Sequence, residues 1–483
     1  MSMRLPEKGL DQAGLFEVLE SFKQRDVDWR SGRVFGFVYD PGREAMEVGK
    51  KAYMSFLTEN GLDFTSFPSL LKLETDLISI AAAHLHGDEN VVGNFSSGGT
   101  ESIIMAVKAA RDYAREHRPH ITRPEMVLPV TGHAAFHKAA HYLGVKVAPA
   151  AVNPIDFRAD PARVEEALTE NTILIVGSAP SYAHGVVDPI PELAALAEKH
   201  GLLCHVDACV GGWLLPYYRQ LGAELPDFDF AVPGVTSMSM DWHKYAYASK
   251  GASIVMYRNR ELRKNQIYSC AKWTGYSIVN TAVQSSKSGG PMAGAWATLH
   301  YIGEEGYLEI ARRSREATQK LVAGIERIPG LRLLTKPDFC MFAFTSDEIS
   351  IFNLVDEMNS RGWYIQPQFA FAGSKENAHM SVGVSNLPWV DQFLKDLAEA
   401  VEAVKSQPVG DLAAVVSAEL AKLDLASLTD QDIKDMMAMV GMGQGSGLPN
   451  KMGEINQILN AMPPELKERL LVLFVNDAFG QNP

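Results

Sequence analysis

Cysteine is scarce: 483 residues contain four, Cys204, Cys209, Cys270 and Cys340. They are too few for a disulfide framework, and no CxxC pair is present to hold a structural zinc, so no metal is expected. A basic tract is also missing. Lys and Arg number 45 against 58 Asp and Glu, a formal charge of −13. Without a positive field to attract a polyanion, nucleic acid is not an expected partner. No apolar run reaches the roughly 18 residues that a membrane-spanning helix needs. Met1 to Gln12 mixes charge with Pro6 and Gly9 where a signal peptide would have an apolar stretch. These absences lead to the expectation of a cytoplasmic protein with no stable membrane insertion.

What is present is a globular composition, 46% hydrophobic and 21% charged, in a chain long enough for more than one unit. Residues 1–90 read as an N-terminal segment of helices and loops. Leu15, Val18, Leu19 and Phe22 recur at helical spacing, an aromatic loop runs from Gly32 to Gly42, and Pro68 opens a further helix. Across 91–300, short apolar runs alternate with amphipathic helices. Strands are predicted at Met126–Val130, Val145–Ala148, Thr172–Val176, Leu202–Val206, Val235–Met240 and Ser253–Tyr257. Strand–helix alternation predicts an α/β fold with a large, mostly parallel sheet covered on both faces, and ligands beyond the carboxyl ends of its strands. A smaller α+β domain is expected over 301–408. A helical extension over 409–483 surrounds a Met- and Gly-rich loop from Met439 to Gly447, read as adaptable packing.

The sharpest local signal is Asn94-Phe-Ser-Ser97-Gly98-Gly99-Thr100-Glu101, which runs directly into a helix. Small residues admit an anion to the unpaired N–H groups of a helix start, although an ordinary capped helix would look the same. It matches neither GxGxxG nor GxxxxGK[ST], so no Rossmann or P-loop nucleotide site is implied. Ser239-Met-Asp241-Trp242-His243-Lys244 follows a strand; Lys244 is either a surface lysine or an amine that forms a Schiff base with a carbonyl. Asp207 closes the apolar strand of Cys204-His205-Val206-Asp207. It suits a helix cap, a metal ligand or a partner for a cationic ring nitrogen. His133 opens a helix after another strand, where an imidazole can cap the helix or stack on a ring. An anion cup, a carboxylate for a pyridinium and a lysine for an aldehyde together describe a pyridoxal 5'-phosphate site.

At these residues the chain resembles the sphingosine-1-phosphate lyase branch of the group II pyridoxal phosphate-dependent decarboxylases, of aspartate aminotransferase-like fold type I. The matching stretches are SSGGTESIIMAVKAARD, HAAFHKAAHYLGVKV, HGVVDPIPELAALAEKHGLLCHVDACVGG and GVTSMSMDWHKYAYASKG. The resemblance implies Lys244 as the Schiff-base lysine, Asp207 as the pyridinium partner and His133 as the stacking residue. It places Ser97, Gly98, Gly99 and Thr100 in the phosphate cup, with His243 beside it. Ser286, Gly289 and Gly290 fall where the family's Gly-Ser-Arg-Pro-Gly-Gly loop reaches the cofactor of a partner subunit, which implies a homodimer with a shared active site. Tyr39 and Lys250 match positions that contact the substrate phosphate in the lyases.

The departures bear on the substrate. Where the lyases read Asn-Pro-Leu-His, this chain has Asn60-Gly61-Leu62-Asp63, so an acid replaces a phosphate-binding histidine. Asp63 would repel a phosphate and attract a cationic substrate; a helix-flanking turn residue is an equal reading. A family tyrosine is Ile278 here, with Tyr276 nearby. The loop arginine is Lys287, which keeps charge but loses the bidentate fork. The resemblance implies retro-aldol cleavage of a phosphorylated 2-amino-3-hydroxy substrate to an aldehyde and an amine such as phosphoethanolamine. The alternative is an amino-acid decarboxylase.

Overall fold

The structure, a computed structural model, describes residues 5–406, Val416, Ala418, 427–439 and 452–479. Of the expected Met- and Gly-rich loop, everything after Met439 lies outside the described residues.

The central sheet has seven strands: β1 (Val92–Ser96), β2 (Glu125–Pro129), β3 (Lys146–Ala150), β4 (Thr172–Ser178), β5 (Leu203–Asp207), β6 (Ser237–Met240) and β7 (Ser253–Tyr257). Their order is β1-β7-β6-β5-β4-β2-β3. From β6 to β3 all pairs are parallel, while β7 runs antiparallel to both β1 and β6. Strand β4 is buried along its whole length, which explains its unbroken apolar reading: a parallel strand covered by helices on both faces has no solvent side to mark with polar residues. Helices Gly99–His117, Ala134–Leu143 and Ile190–Lys199 fill the crossovers.

Strand β1 is absent from the sequence-based expectation. Gly93 and Asn94 interrupt its apolar run, yet Gly93 is needed there: a Cβ would sit 2.5 Å from the Val255 carbonyl oxygen of β7. A hairpin, β8 (Tyr268–Cys270) with β9 (Ile278–Asn280), follows the sheet. The long helix Gly290–Ile325 breaks at Gly303, at φ 65°. The expected boundary at residue 300 falls just before this break. The second sheet is antiparallel, in the order β10 (Arg332–Leu333), β11 (Met341–Thr345), β13 (Asn377–Ser381), β12 (Gln366–Gln368). Helices Ile351–Ser360 and Val390–Lys405 pack together beside it. Tyr245, just past β6, donates its hydroxyl to the Val382 carbonyl (3.2 Å), tying this unit to the large sheet.

The predicted N-terminal helix forms at Gln12–Ser21, but none of its residues is buried. Leu15, Phe16, Val18 and Leu19 stay exposed, so its apolar face has no cover among the described residues. In the Gly32–Gly42 loop, Phe35 is fully buried and its N–H bonds the Tyr364 carbonyl at 2.9 Å. At the C-terminus, helices Asp430–Met439, Gly453–Ala461 and Pro464–Ala478 share a small core of Ile433, Ile455, Leu459, Leu466 and Leu470. Asp356 docks this group by accepting the Gly453 N–H at 2.7 Å. Among the described residues no helix is long and apolar enough to cross a membrane.

Candidate active site

The carboxyl ends of β1, β2, β4, β5 and β6 converge on one cavity of about 380 Å³, as open α/β sheets arrange their ligand sites. Its walls include Ser97, Gly98, Gly99 and Thr100 after β1, His133 after β2, Tyr182 after β4, Asp207 at the end of β5, and Asp241, His243 and Lys244 after β6. Five stretches that the sequence leaves far apart therefore meet at one edge of one sheet.

Lys244 places its ammonium 2.9 Å from Asp241 Oδ2, whose side chain is 1% exposed. Burial opposes charge on both groups, but each outweighs that for the other: Asp241 is held below the usual carboxylate range and Lys244 is raised above the usual lysine value. Neither Asp241 oxygen has a hydrogen bond of good geometry. His243 lies alongside, with Nε2 3.5 Å from Asp241, while its Nδ1 accepts the Ala252 N–H (3.1 Å). That bond puts the ring proton on Nε2, facing the acid.

The cup begins as the sequence predicts but is wired differently at its first residue. Glu101 Oε2 accepts both the Ser97 N–H (2.6 Å) and the Ser97 hydroxyl (2.7 Å). Its other oxygen accepts the N–H groups of Val283 (2.7 Å) and Gln284 (3.2 Å). One buried carboxylate thus joins the cup to the segment leading into Ser286–Gly290. The helix start at Gly99 presents N–H groups that have no carbonyl one turn earlier to receive them. Gly99 is spatially required, since a Cβ would lie 2.8 Å from Cys209 Sγ and 2.9 Å from Asp241 Oδ2.

Asp207 accepts the Cys209 N–H at 3.1 Å and faces the Ser239 hydroxyl at 3.4 Å. The Ser239 hydroxyl also lies 3.2 Å from Nε2 of the fully buried His205. Few donors compete for the Asp207 carboxylate, which leaves it able to take a ring N–H. His133 caps the helix Ala134–Leu143 by accepting the Ala135 N–H on Nδ1 (3.1 Å), so its Nε2 carries the proton. Tyr39 stacks edge-on against Tyr245 (4.8 Å between centroids), and the Lys250 ammonium sits 4.7 Å over the Tyr39 ring. Lys250 reaches the surface, but desolvation of its ammonium, then the Lys244 charge, pulls it down to about 8.

Residues 52–346 match the family profile described as the pyridoxal-dependent decarboxylase conserved domain. The chain belongs to the pyridoxal-dependent decarboxylase family. Residues 411–477 match a second profile, a C-terminal HTH domain of pyridoxal-dependent enzymes. The chain is similar to the sphingosine-1-phosphate lyase of Arabidopsis thaliana, 41% identical over 426 residues, covering 86% of this chain and 77% of the relative. It is 32% identical over 363 residues to a protein of Pyrococcus furiosus named "Probable L-aspartate decarboxylase", covering 75% and 95% of the two chains. The sphingosine-1-phosphate lyase structure from Burkholderia pseudomallei K96243 superposes with a TM-score of 0.80 at 36% identity, over 88% of this chain and 97% of that one.

The fold is therefore that of the type I pyridoxal phosphate enzymes, the cofactor is pyridoxal 5'-phosphate and the chain is a pyridoxal phosphate-dependent lyase. The cavity fits that cofactor: it has a glycine cradle that a Cβ would fill, a carboxylate with room for a ring N–H, and a lysine on the same wall.

Other family positions stand elsewhere. The Gly61 N–H bonds the Lys287 carbonyl at 2.7 Å, so Asn60–Asp63 and Ser286–Gly290 form one unit, none of it lining this chain's own cavity. Ser286 is exposed. Gly289 and Gly290 pack where side chains would strike Leu70 and Tyr53. Lys287 is 5% exposed and pairs with Glu74 at 3.2 Å. Asp63 is an exposed turn acid that accepts the Thr65 N–H (2.8 Å), the Thr65 hydroxyl (2.6 Å) and the Ser66 hydroxyl (3.2 Å). Those bonds, led by the Thr65 hydroxyl, lower its pKa. Sequence reasoning missed Asp241, Glu101 and Tyr182 as cavity residues. Asp241 stands within the quoted lysine motif, and Tyr182 follows a strand end, so position relative to the strands was the available signal.

Proposed function

We propose that the chain cleaves the Cα–Cβ bond of a phosphorylated 2-amino-3-hydroxy substrate, as the names of its sphingosine-1-phosphate lyase relatives suggest. The observation that carries this reading beyond the family is the Lys250–Tyr39 pair: an ammonium 4.7 Å above a tyrosine ring that itself packs against Tyr245, next in the chain to Lys244. The Lys250 ammonium, steadied by the Phe37 and His243 carbonyls (3.1 and 3.3 Å), is a cation that suits a phosphate head group.

Bound in the cavity, pyridoxal phosphate would supply an electron sink for breaking a bond at Cα. Lys244 would supply the amine that joins the cofactor's aldehyde, and Asp241, 2.9 Å away, is placed to take up its ammonium proton. Asp207 would hold the ring nitrogen in its cationic form, and His133, with its proton on Nε2, would cover the ring. Gly98, Gly99, Thr100 and His243 receive the phosphate. Ser97 contributes through Glu101, which fixes the cup.

The assembly is read as a homodimer. The exposed face of helix Gln12–Ser21 and the Asn60–Asp63 and Ser286–Gly290 unit, which does not line its own cavity, support a site completed by a second copy. In that arrangement Ser286, Gly289 and Gly290 reach the cofactor of the other subunit. Asp63 accompanies them as a turn acid at the edge of the substrate site. The C-terminal region is assigned to packing rather than to nucleic acid. Lys434 pairs with Asp477 (2.9 Å), Arg469 with Asp430 (3.0 Å), and Lys467 covers the Phe369 ring (4.6 Å), so these cations are engaged within the chain. A cytoplasmic location accords with four free cysteines.

The test is a mass-resolved product assay of the purified protein with pyridoxal phosphate, offered sphingosine 1-phosphate and a panel of amino acids, with Lys244→Ala as control. A fatty aldehyde and phosphoethanolamine, absent in the control, support the lyase reading. Carbon dioxide and an amine assign the chain to decarboxylation instead.

A further inference from the structure

Strands β5 and β6 lie side by side in parallel register, with His205 opposite Ser237 and Asp207 opposite Ser239. Alternation along each strand puts these four residues on one face of the sheet. Their neighbours on the other face, Cys204, Val206, Met238 and Met240, are apolar and fully buried. The four polar residues are buried too, His205 and Ser239 completely. Polar groups inside a sheet layer are costly unless each finds a partner, and here each does. Ser237 Oγ lies 2.9 Å from His205 Nδ1, and Ser239 Oγ lies 3.2 Å from His205 Nε2. Ser239 Oγ also reaches Asp207 Oδ1 at 3.4 Å. The ring of Phe136 meets the imidazole edge-on, 5.8 Å between centroids.

The direction of these bonds follows from what each group is able to donate. The Asp207 carboxylate only accepts, so the Ser239 hydroxyl donates to it. Having given its one proton, Ser239 accepts from His205. Burial lowers the His205 pKa to about 4 against the pull of the Asp207 charge, so the ring is neutral and carries one proton. That proton is on Nε2, and Nδ1 accepts from the Ser237 hydroxyl. Three donors in series therefore point towards Asp207. The Cys209 N–H falls on the same oxygen, Oδ1, at 3.1 Å. Among the described residues no hydrogen bond reaches Oδ2, and Asp207 lines the cavity. Oδ2 is the oxygen left to accept.

We propose that Ser239 and His205 are positioning residues for the cofactor's ring nitrogen: in series with Ser237 they anchor one oxygen of Asp207, so that the other selects a protonated ring. The proposal rests on the reading of Asp207 as the partner of that nitrogen. A donor on one oxygen fixes the side chain and favours its charged form. Hydrogen bonds in series polarise one another, so His205, which does not line the cavity, acts through Ser239.

The test measures the dissociation constants of two cofactors from the full-length protein: pyridoxal phosphate and its deaza analogue, which has CH in place of the ring nitrogen. Ser239→Ala is expected to weaken pyridoxal phosphate about tenfold, one decade at ~1.4 kcal/mol, and to leave the analogue unchanged. A merely structural role would weaken both alike. In wild-type holoenzyme carrying isotopically labelled histidine, nuclear magnetic resonance should find the His205 proton on Nε2 and none on Nδ1. Equal losses for the two cofactors, no loss for either, or a proton on Nδ1 overturns the proposal. Asp207→Asn separates two kinds of failure. If it discriminates between the cofactors and Ser239→Ala does not, the series falls alone. If neither variant discriminates, the reading of Asp207 falls with it.

Discussion

Replacing Gly99 with Ala tests whether the cup and the lysine form one rigid unit. The new Cβ would stand 2.8 Å from Cys209 Sγ and 2.9 and 3.0 Å from the two oxygens of Asp241. Neither neighbour is free to retreat. Cys209 donates its N–H to Asp207 at 3.1 Å, and Asp241 is buried against Lys244 at 2.9 Å. Relief therefore displaces Cys209 from Asp207 or Asp241 from Lys244. Overpacking of this kind costs about 1–3 kcal/mol, which is about 5- to 150-fold in an equilibrium constant at ~1.4 kcal/mol per decade. Gly98→Ala is the internal control. Its Cβ meets nothing closer than His243 Cε1 at 3.6 Å, and its φ of 164° is extended backbone that any residue adopts. The assay is the pyridoxal phosphate dissociation constant of each apoprotein, followed by the absorbance of bound cofactor. Gly99→Ala should bind far more weakly than Gly98→Ala. Equal dissociation constants for the two variants would refute the argument.

Asp207→Asn removes a carboxylate from a position where a hydrogen bond to charge contributes about 1.5–3 kcal/mol; kcat should fall about 10- to 150-fold while cofactor absorbance is retained. Glu101→Gln substitutes a single acceptor oxygen for two that together hold Ser97, Val283 and Gln284. Leaving one buried N–H unpaired costs about 1–3 kcal/mol, so cofactor affinity should drop at least about fivefold by the same titration. Burial and the Lys244 ammonium bring Lys250 down to about 8, so its cation is present below that pH and lost above it. The kcat/KM for a phosphorylated substrate should accordingly fall as pH rises through 8, and Lys250→Arg, charged throughout this range, should lose that limb.

Much of this site is legible because its residues sit at strand ends. His133, Asp207 and Lys244 each stand at the end of an expected strand, and in a parallel sheet such carboxyl ends share an edge; Ser97–Thr100 stands out instead by small residues that run into a helix. Strand β1 was hidden because Gly93, which admits the β7 backbone, and Asn94, which bonds Glu74 at 3.0 Å, break the apolar pattern. Glu101 follows the cup as an ordinary first-turn helix acid, and only the folded chain shows its second oxygen on the Val283 and Gln284 amides. The helical period of Leu15, Val18 and Leu19 predicted a helix correctly. Periodicity reports that a face needs cover, however, and not where cover comes from, and among the described residues the face stays open. Asp63 and Ser286 were read through a resemblance to sites shared between subunits. Their segments meet through the Gly61–Lys287 hydrogen bond, and neither residue lines the cavity of its own chain.

The claim at the centre of the account is that Lys244, in the cavity it shares with Asp207 and the glycine cup, carries the cofactor. Borohydride reduction of the holoenzyme fixes the cofactor carbon to the lysine nitrogen, and peptide mass mapping locates it. The account predicts one phosphopyridoxyl group per chain, on the peptide containing Lys244, lost in Lys244→Ala. Labelling at Lys250 or Lys287, or none at Lys244, would contradict it.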